Sequence, residues 1–94
     1  MLMNQELIDT IRSTLSRHNV RRAGLFGSFA RGEATPESDV DLLVDLDPEI
    51  SLLDFVALKL ELQDVLARNV DLVEYSTIKS LLREAILAEQ IVIL

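Results

Sequence analysis

The stretch from Gly27 to Asp41 reads Gly-Ser-Phe-Ala-Arg-Gly-Glu-Ala-Thr-Pro-Glu-Ser-Asp-Val-Asp, and it limits what the rest of the chain can be. A small-residue turn follows the apolar pair Leu25-Phe26. Two carboxylates, Asp39 and Asp41, then head a second apolar run, Val40-Leu42-Leu43-Val44. Side chains alternate faces along a strand, so Asp39 and Asp41 project from one side and can share an ion. Gly27 and Ser28 offer bare backbone N–H groups and a hydroxyl, placed to open a short helix through Phe29-Ala30-Arg31. A helix start behind a glycine turn suits phosphate. A phosphate cradle facing a carboxylate pair across a tight loop points to a metal–triphosphate site.

The remaining composition bounds the setting of that site. A chain of 94 residues makes one small domain, 1–94, with a single core, for which an apolar fraction of 49% is ample. Aromatic residues are only 4%, too few to stack a run of bases. Cysteine is absent, which excludes a disulfide framework, a thiol nucleophile and a zinc–thiolate centre. No apolar run has the length of a membrane span, and the N-terminus lacks the basic head of a signal peptide. The expectation is a cytoplasmic protein with no membrane contact. A net charge of -7 argues against direct nucleic-acid binding, which needs a basic stripe. It is compatible with a nucleotide substrate, because divalent metal bridges acidic side chains to phosphate.

Taken in order, the chain predicts four helices alternating with four strands. Leu7, Ile8, Ile11 and Leu15 mark a helix over 5–18 with Asn4 as its N-cap, ending at His18 and Asn19. His18, the one histidine, reads as a surface residue at that helix end rather than a catalytic group. Residues 21–26 form the first strand, where Arg21 and Arg22 are either a solvated strand start or a small anion patch. Arg31 stands one turn into the short helix after Ser28, near any phosphate held there; it pairs either with that phosphate or with Glu33 or Glu37. Residues 39–46 form the second strand, with Asp45 and Asp47 as turn or solubility residues and Pro48 closing it. Ser51, with Asp54 three residues on, caps a helix reaching about Arg68. Leu52, Phe55, Leu58, Leu62, Val65 and Leu66 make one face of it, and Val56, Leu60 and Ala67 a second. An arc that wide exceeds what one sheet face needs, and meets a neighbouring helix, a second copy or a partner protein. Val70 to Glu74 is a third strand with Asp71 in its interior, paired to an arginine or serving a metal. Ser76 caps a last helix carrying Ile78, Leu81, Leu82, Ala85 and Ile86. Residues 91–94 form a final buried strand. The fold class is α/β (α+β), a small mixed sheet packed with helices.

Gly27-Ser28 followed at this spacing by Asp39-x-Asp41, with Asp71 inside a later apolar strand, resembles the DNA polymerase β-like nucleotidyltransferase superfamily. The form Gly-Ser-Phe-Ala-Arg-Gly with Ser-Asp-Val-Asp-Leu-Leu-Val is similar to its smallest branch, the minimal nucleotidyltransferases, MntA-like antitoxins encoded beside HEPN-domain toxins. Three converging carboxylates repel one another and raise one another's pKa, and two oxygen-loving cations, Mg²⁺ or Mn²⁺, relieve this. The resemblance implies that Asp39 and Asp41 hold the triphosphate metal while Asp41 and Asp71 hold the activating one. Asp71 then lies nearest the incoming nucleophile. It also implies that Gly27, Ser28 and Arg31 bind the nucleotide, with Ser28 and nearby N–H groups gripping the β- and γ-phosphates.

Larger members of that superfamily carry a further acceptor-binding domain, and here nothing follows the fourth strand. The acceptor is therefore expected to bring its own docking surface, with the apolar helix at 52–67 to receive it. The resemblance implies AMP transfer from ATP to a tyrosine hydroxyl of a HEPN-type RNase toxin, which is thereby silenced. Two alternatives stand beside it: an antitoxin that binds and occludes without catalysis, and a nucleotidyltransferase acting on RNA ends or a small hydroxyl compound.

Overall fold

The computed structural model describes residues 3–94, with side chains from Gln5 onward. Four strands, β1 (Val20–Phe26), β2 (Val40–Leu46), β3 (Val70–Glu74) and β4 (Ile91–Val92), form one mixed sheet in the order β3-β2-β1-β4. β2 runs antiparallel to β1 and parallel to β3, and β4 runs antiparallel to β1. The position of β2 follows from its sequence, since Val40, Leu42, Leu43 and Val44 are fully buried and a near-continuous apolar run suits a strand enclosed on both sides.

Register then sorts the side chains. Residues directly opposite one another on neighbouring strands share a face. Leu42 lies opposite Leu25 and Leu72, and Val40 opposite Val70; these join the hydrophobic core. Asp41 lies opposite Phe26 and Asp71, and Asp45 opposite Arg22, on the other face. α1 (Met3–Ser16) and α3 (Leu52–Leu66) supply Ile11, Leu15, Leu58 and Leu62 to the core. Each such side chain contributes about 1.5–3 kcal/mol when fully buried. Thr14 is buried among them and donates its hydroxyl to the Thr10 carbonyl at 3.0 Å, so its own polar group is satisfied.

The helix ends depart from the sequence expectation in several places. α1 begins before Asn4 and ends at Ser16, so Asn4 stands within the helix, its side chain outside the described residues. Asn19 does adopt the left-handed geometry expected of it, with φ 59°. His18 turns inward rather than outward: its Nε2 lies 2.8 Å from Glu61 Oε1, and Arg17 pairs with Glu61 Oε2 at 2.7 Å, tying α1 to α3. Ser51 caps α3 as expected, its hydroxyl accepting the Asp54 N–H at 3.2 Å.

Beyond β3 the corrections are larger. Ser76 caps nothing; Tyr75–Thr77 form a single 3-10 turn, and α4 (Ser80–Glu89) starts after Lys79 without a side-chain cap. α4 buries none of its residues, and Leu81 is 96% exposed. β4 is an exposed two-residue edge, although backbone pairing with Ala23 continues through Ile93 and Leu94. Within α3, Leu52 and Val65 face outward, contrary to the expected core face, and join Leu53, Val56 and Leu60 on the surface. Tyr75 is buried on the sheet's carboxylate-bearing face, its hydroxyl donating to Gln90 Oε1 at 2.6 Å. Gly24 permits this, since a Cβ there would fall on Gln90 Oε1 and 2.9 Å from the Tyr75 hydroxyl. No described helix is long and apolar enough to cross a membrane.

Candidate active site

Gly27 follows β1 with φ 73° and ψ -150°, a conformation open to glycine and strained for anything larger. The same residue has no room for a side chain, because a Cβ would fall on Asp41 Oδ2, with Asp41 Cγ only 3.0 Å away. The glycine turn and the central carboxylate are thus packed directly together. α2 (Ser28–Arg31) follows, closed by Gly32 in the left-handed region at φ 73°. Ser28 is half-buried, and its hydroxyl has no hydrogen-bond partner among the described residues.

The carboxylates come from two neighbouring strands. Asp41 of β2 lies in register with Asp71 of β3, so the two share the sheet face. Asp39 is exposed and stands one residue before β2, which starts at Val40 rather than at Asp39 as expected. Its approach is fixed from behind. Thr35 and Ser38 close the loop on each other, Arg68 Nη1 donates to the Ser38 carbonyl at 3.2 Å, and the Val40 N–H donates to the Asn69 carbonyl at 3.0 Å. The Arg68 guanidinium also lies over the Phe29 ring, 5.1 Å from its centroid, which joins this loop to α2. The sequence marked Arg68 only as the approximate end of the helix after Ser51.

Burial pushes the Asp41 carboxyl above its ordinary value, and the charges of Asp71 and Asp39 push it further. None of the three takes part in an ion pair among the described residues. Asp71 is exposed and makes no bridge to Arg21 or Arg22; Arg22 lies instead over the Tyr75 ring, 4.4 Å from its centroid. The structural salt-bridge reading of Asp71 therefore falls. The three aspartates offer only oxygen donors and a negative charge that no direct ion pair offsets, which fits a hard cation such as Mg²⁺ or Mn²⁺. Among the described residues no three acidic side chains close into a ready metal cage.

Arg31 has two partners. Its Nε donates to Glu33 Oε1 at 2.9 Å, one of the pairings open in the sequence, and Nη1 donates to Glu89 Oε2 at 3.1 Å. Glu89 Oε1 meanwhile accepts the Gly27 N–H at 2.9 Å. The Gly27 N–H, then Arg31, hold the Glu89 carboxyl below its ordinary value. Glu89, which no sequence motif marked, is therefore part of this cluster. Asp45 stays half-buried opposite Arg22, and Asp47 accepts the Glu49 N–H at 2.9 Å, a turn role as expected. His18 stands with Glu61 at the α1–α3 contact and takes no part.

The family model for polymerase beta nucleotidyltransferases matches residues 9–94. The chain is 47% identical over 73 residues to protein adenylyltransferase MntA of Thermococcus cleftensis, covering 78% of this chain and 74% of that one. A solved structure described as a candidate minimal nucleotidyltransferase superposes with a TM-score of 0.81 at 40% identity, over 93% of this chain and 89% of that one. The fold is shared, at 19% identity and a TM-score of 0.76, with a structure of tri-AMPylated Shewanella oneidensis HEPN toxin in complex with MNT antitoxin, over 97% of this chain and 71% of that one. With its glycine turn against the paired carboxylates and this likeness along nearly its whole length, the chain belongs to the polymerase β-type nucleotidyltransferases, in their minimal branch.

Proposed function

We infer that the chain transfers AMP from ATP to a tyrosine hydroxyl of a HEPN-type RNase toxin and so serves as its antitoxin. The observation that carries this is the direct packing of Gly27 against Asp41, which puts phosphate-binding backbone beside the carboxylate cluster. Support for the protein acceptor comes from the relative named as a protein adenylyltransferase and from the shared fold found beside an AMPylated HEPN toxin.

In this reading Asp39 and Asp41 would hold one cation and Asp41 and Asp71 a second. Bound there, they would supply charge neutralisation on the phosphates and activation of the attacking hydroxyl. The Ser28 hydroxyl and the Gly27 and Ser28 N–H groups grip the β- and γ-phosphates, and Arg31 pairs with phosphate oxygen. The tyrosine oxygen bonds to the α-phosphorus as the bond to the bridging oxygen breaks and pyrophosphate leaves. Asp71, exposed on an edge strand, stands toward the acceptor and takes the phenolic proton. Phosphoryl-type transfer asks chiefly for positioning and charge stabilisation, and these residues provide both. The exposed stripe of Leu52, Leu53, Val56 and Leu60 on α3 receives the partner. ATP, Mg²⁺ and an RNase target together imply a cytoplasmic setting.

The test is the intact mass of the co-purified HEPN partner before and after ATP and Mg²⁺. One or more AMP masses should appear with the wild-type chain and none with Asp41→Asn. A partner that stays unmodified yet is inhibited equally by both chains would replace catalysis with occlusion.

A further inference from the structure

Glu89 is the last residue of α4, and its carboxylate reaches back to the glycine turn that follows β1. One oxygen takes the Gly27 N–H and the other takes Arg31 Nη1. An anion held by a backbone N–H on one side and a guanidinium on the other makes the contacts a phosphate would make. Both donors are ones that the nucleotide reading assigns to ATP. The carboxylate also adds to the negative charge around Asp41.

The element carrying Glu89 is loosely attached. α4 buries no residue, and it is tied down by Arg83 Nη1 donating to the Tyr75 carbonyl at 3.0 Å, by the Tyr75–Gln90 hydrogen bond and by Glu89 itself. Beyond it, β4 and Ile93 pair with the edge of β1. Removing Glu89 from its partners would loosen the C-terminal turn of α4, leaving it held by the Tyr75–Gln90 hydrogen bond and the β4 pairing, without opening the core.

We propose that Glu89 is a placeholder for phosphate, occupying the Gly27 N–H and Arg31 until the phosphates of ATP displace it and loosen the end of α4. This rests on the nucleotide-binding reading of the same cluster. The placeholder keeps two phosphate donors ordered in the empty protein and sets nucleotide affinity by competing for them. It also reports occupancy to a helix that displays Leu81 and Leu82. A fixed clamp, which would hold Arg31 in place for the nucleotide, makes the opposite prediction.

The experiment is direct titration of the full chain with a non-hydrolysable ATP analogue and Mg²⁺, for wild type, Glu89→Gln and Glu33→Gln. Glu89→Gln keeps the shape but weakens the competitor from a charged to a neutral acceptor, and should lower Kd about tenfold. Glu33→Gln removes a charge from Arg31 but leaves Gly27 untouched, and should tighten binding much less. Hydrogen exchange at residues 89–92 of the wild type should speed up when the analogue binds, a readout that needs no variant to fold. Equal or weaker binding by Glu89→Gln, equal tightening by Glu33→Gln, or slower exchange at 89–92 each overturns the placeholder and leaves the nucleotide site standing. A wild-type chain that binds no analogue removes both.

Discussion

Gly27 meets two independent demands, a φ of 73° with ψ -150° and a backbone in contact with the Asp41 carboxylate. Gly27→Ala should therefore cost stability through strain, about 1–3 kcal/mol, and displace Asp41, abolishing nucleotide transfer. Urea unfolding and a transfer assay separate the two effects. Asp41 carries a different cost. Its folded-state pKa lies above the ordinary value of 3.8, so the folded protein holds that proton more tightly than the unfolded chain and ionised Asp41 works against folding. The penalty is absent below 3.8 and complete once pH exceeds the raised folded value. Asp41→Asn should accordingly be more stable than wild type at neutral pH without metal, and the gain should vanish well below 3.8. Urea unfolding of both proteins across that range checks the sign. Asp45→Asn, on the same sheet face but opposite Arg22, should leave transfer nearly unchanged. If Asp45→Asn and Asp41→Asn lose activity equally, the division of β2 into site and solubility residues is wrong.

α3 divides its leucines between core and surface, which a pair of substitutions can read. Leu62 is fully buried, and Leu62→Ala should cost about 2–5 kcal/mol in the isolated chain. Leu53 is 81% exposed, and Leu53→Ala should change stability by less than about 0.5 kcal/mol while weakening partner binding. Calorimetric titration against the partner and denaturant unfolding together test both halves. The excess of apolar surface on this helix was legible in the sequence, but its allocation was not. Periodicity shows that two stripes exist; which one meets the sheet depends on where α1 packs, and Leu52 and Val65 went outward. α4 shows the same limit, since its i, i+3, i+4, i+7 spacing described an apolar face for which the fold supplies no cover. The carboxylates were legible because strand alternation and a single parallel register are enough to gather Asp41 and Asp71. Glu89 and Arg68 were not, because they reach Gly27 and Ser38 across 62 and 30 residues of chain, and no local spacing encodes such a contact.

At the scale of the whole molecule, the sheet has helices α1 and α3 on one face and a carboxylate cluster at the edge of the other. Asp39, Asp41 and Asp71 have no ion-pair partner among the described residues, so the protein without ligand folds against their repulsion. A ligand that relieves the repulsion binds only the folded state and must stabilise it by mass action. Metal alone should do this weakly, because no three described acidic side chains form a cage and, in the proposed reading, triphosphate oxygens complete the coordination. Mg²⁺ or Mn²⁺ together with ATP should do it strongly. At a ligand concentration about 100 times Kd the gain is about 2.7 kcal/mol, which for a domain of this size raises Tm by roughly 10–20 °C. Thermal melts should therefore rank free protein below metal alone, and metal alone below metal with nucleotide. Asp41→Asn should start above the wild-type free protein yet respond little to the pair, since it has lost a shared ligand rather than its fold. A wild-type melting curve indifferent to millimolar metal and nucleotide would remove the two-cation reading, while a full response to metal alone would show that the carboxylates close around the ion without help from phosphate.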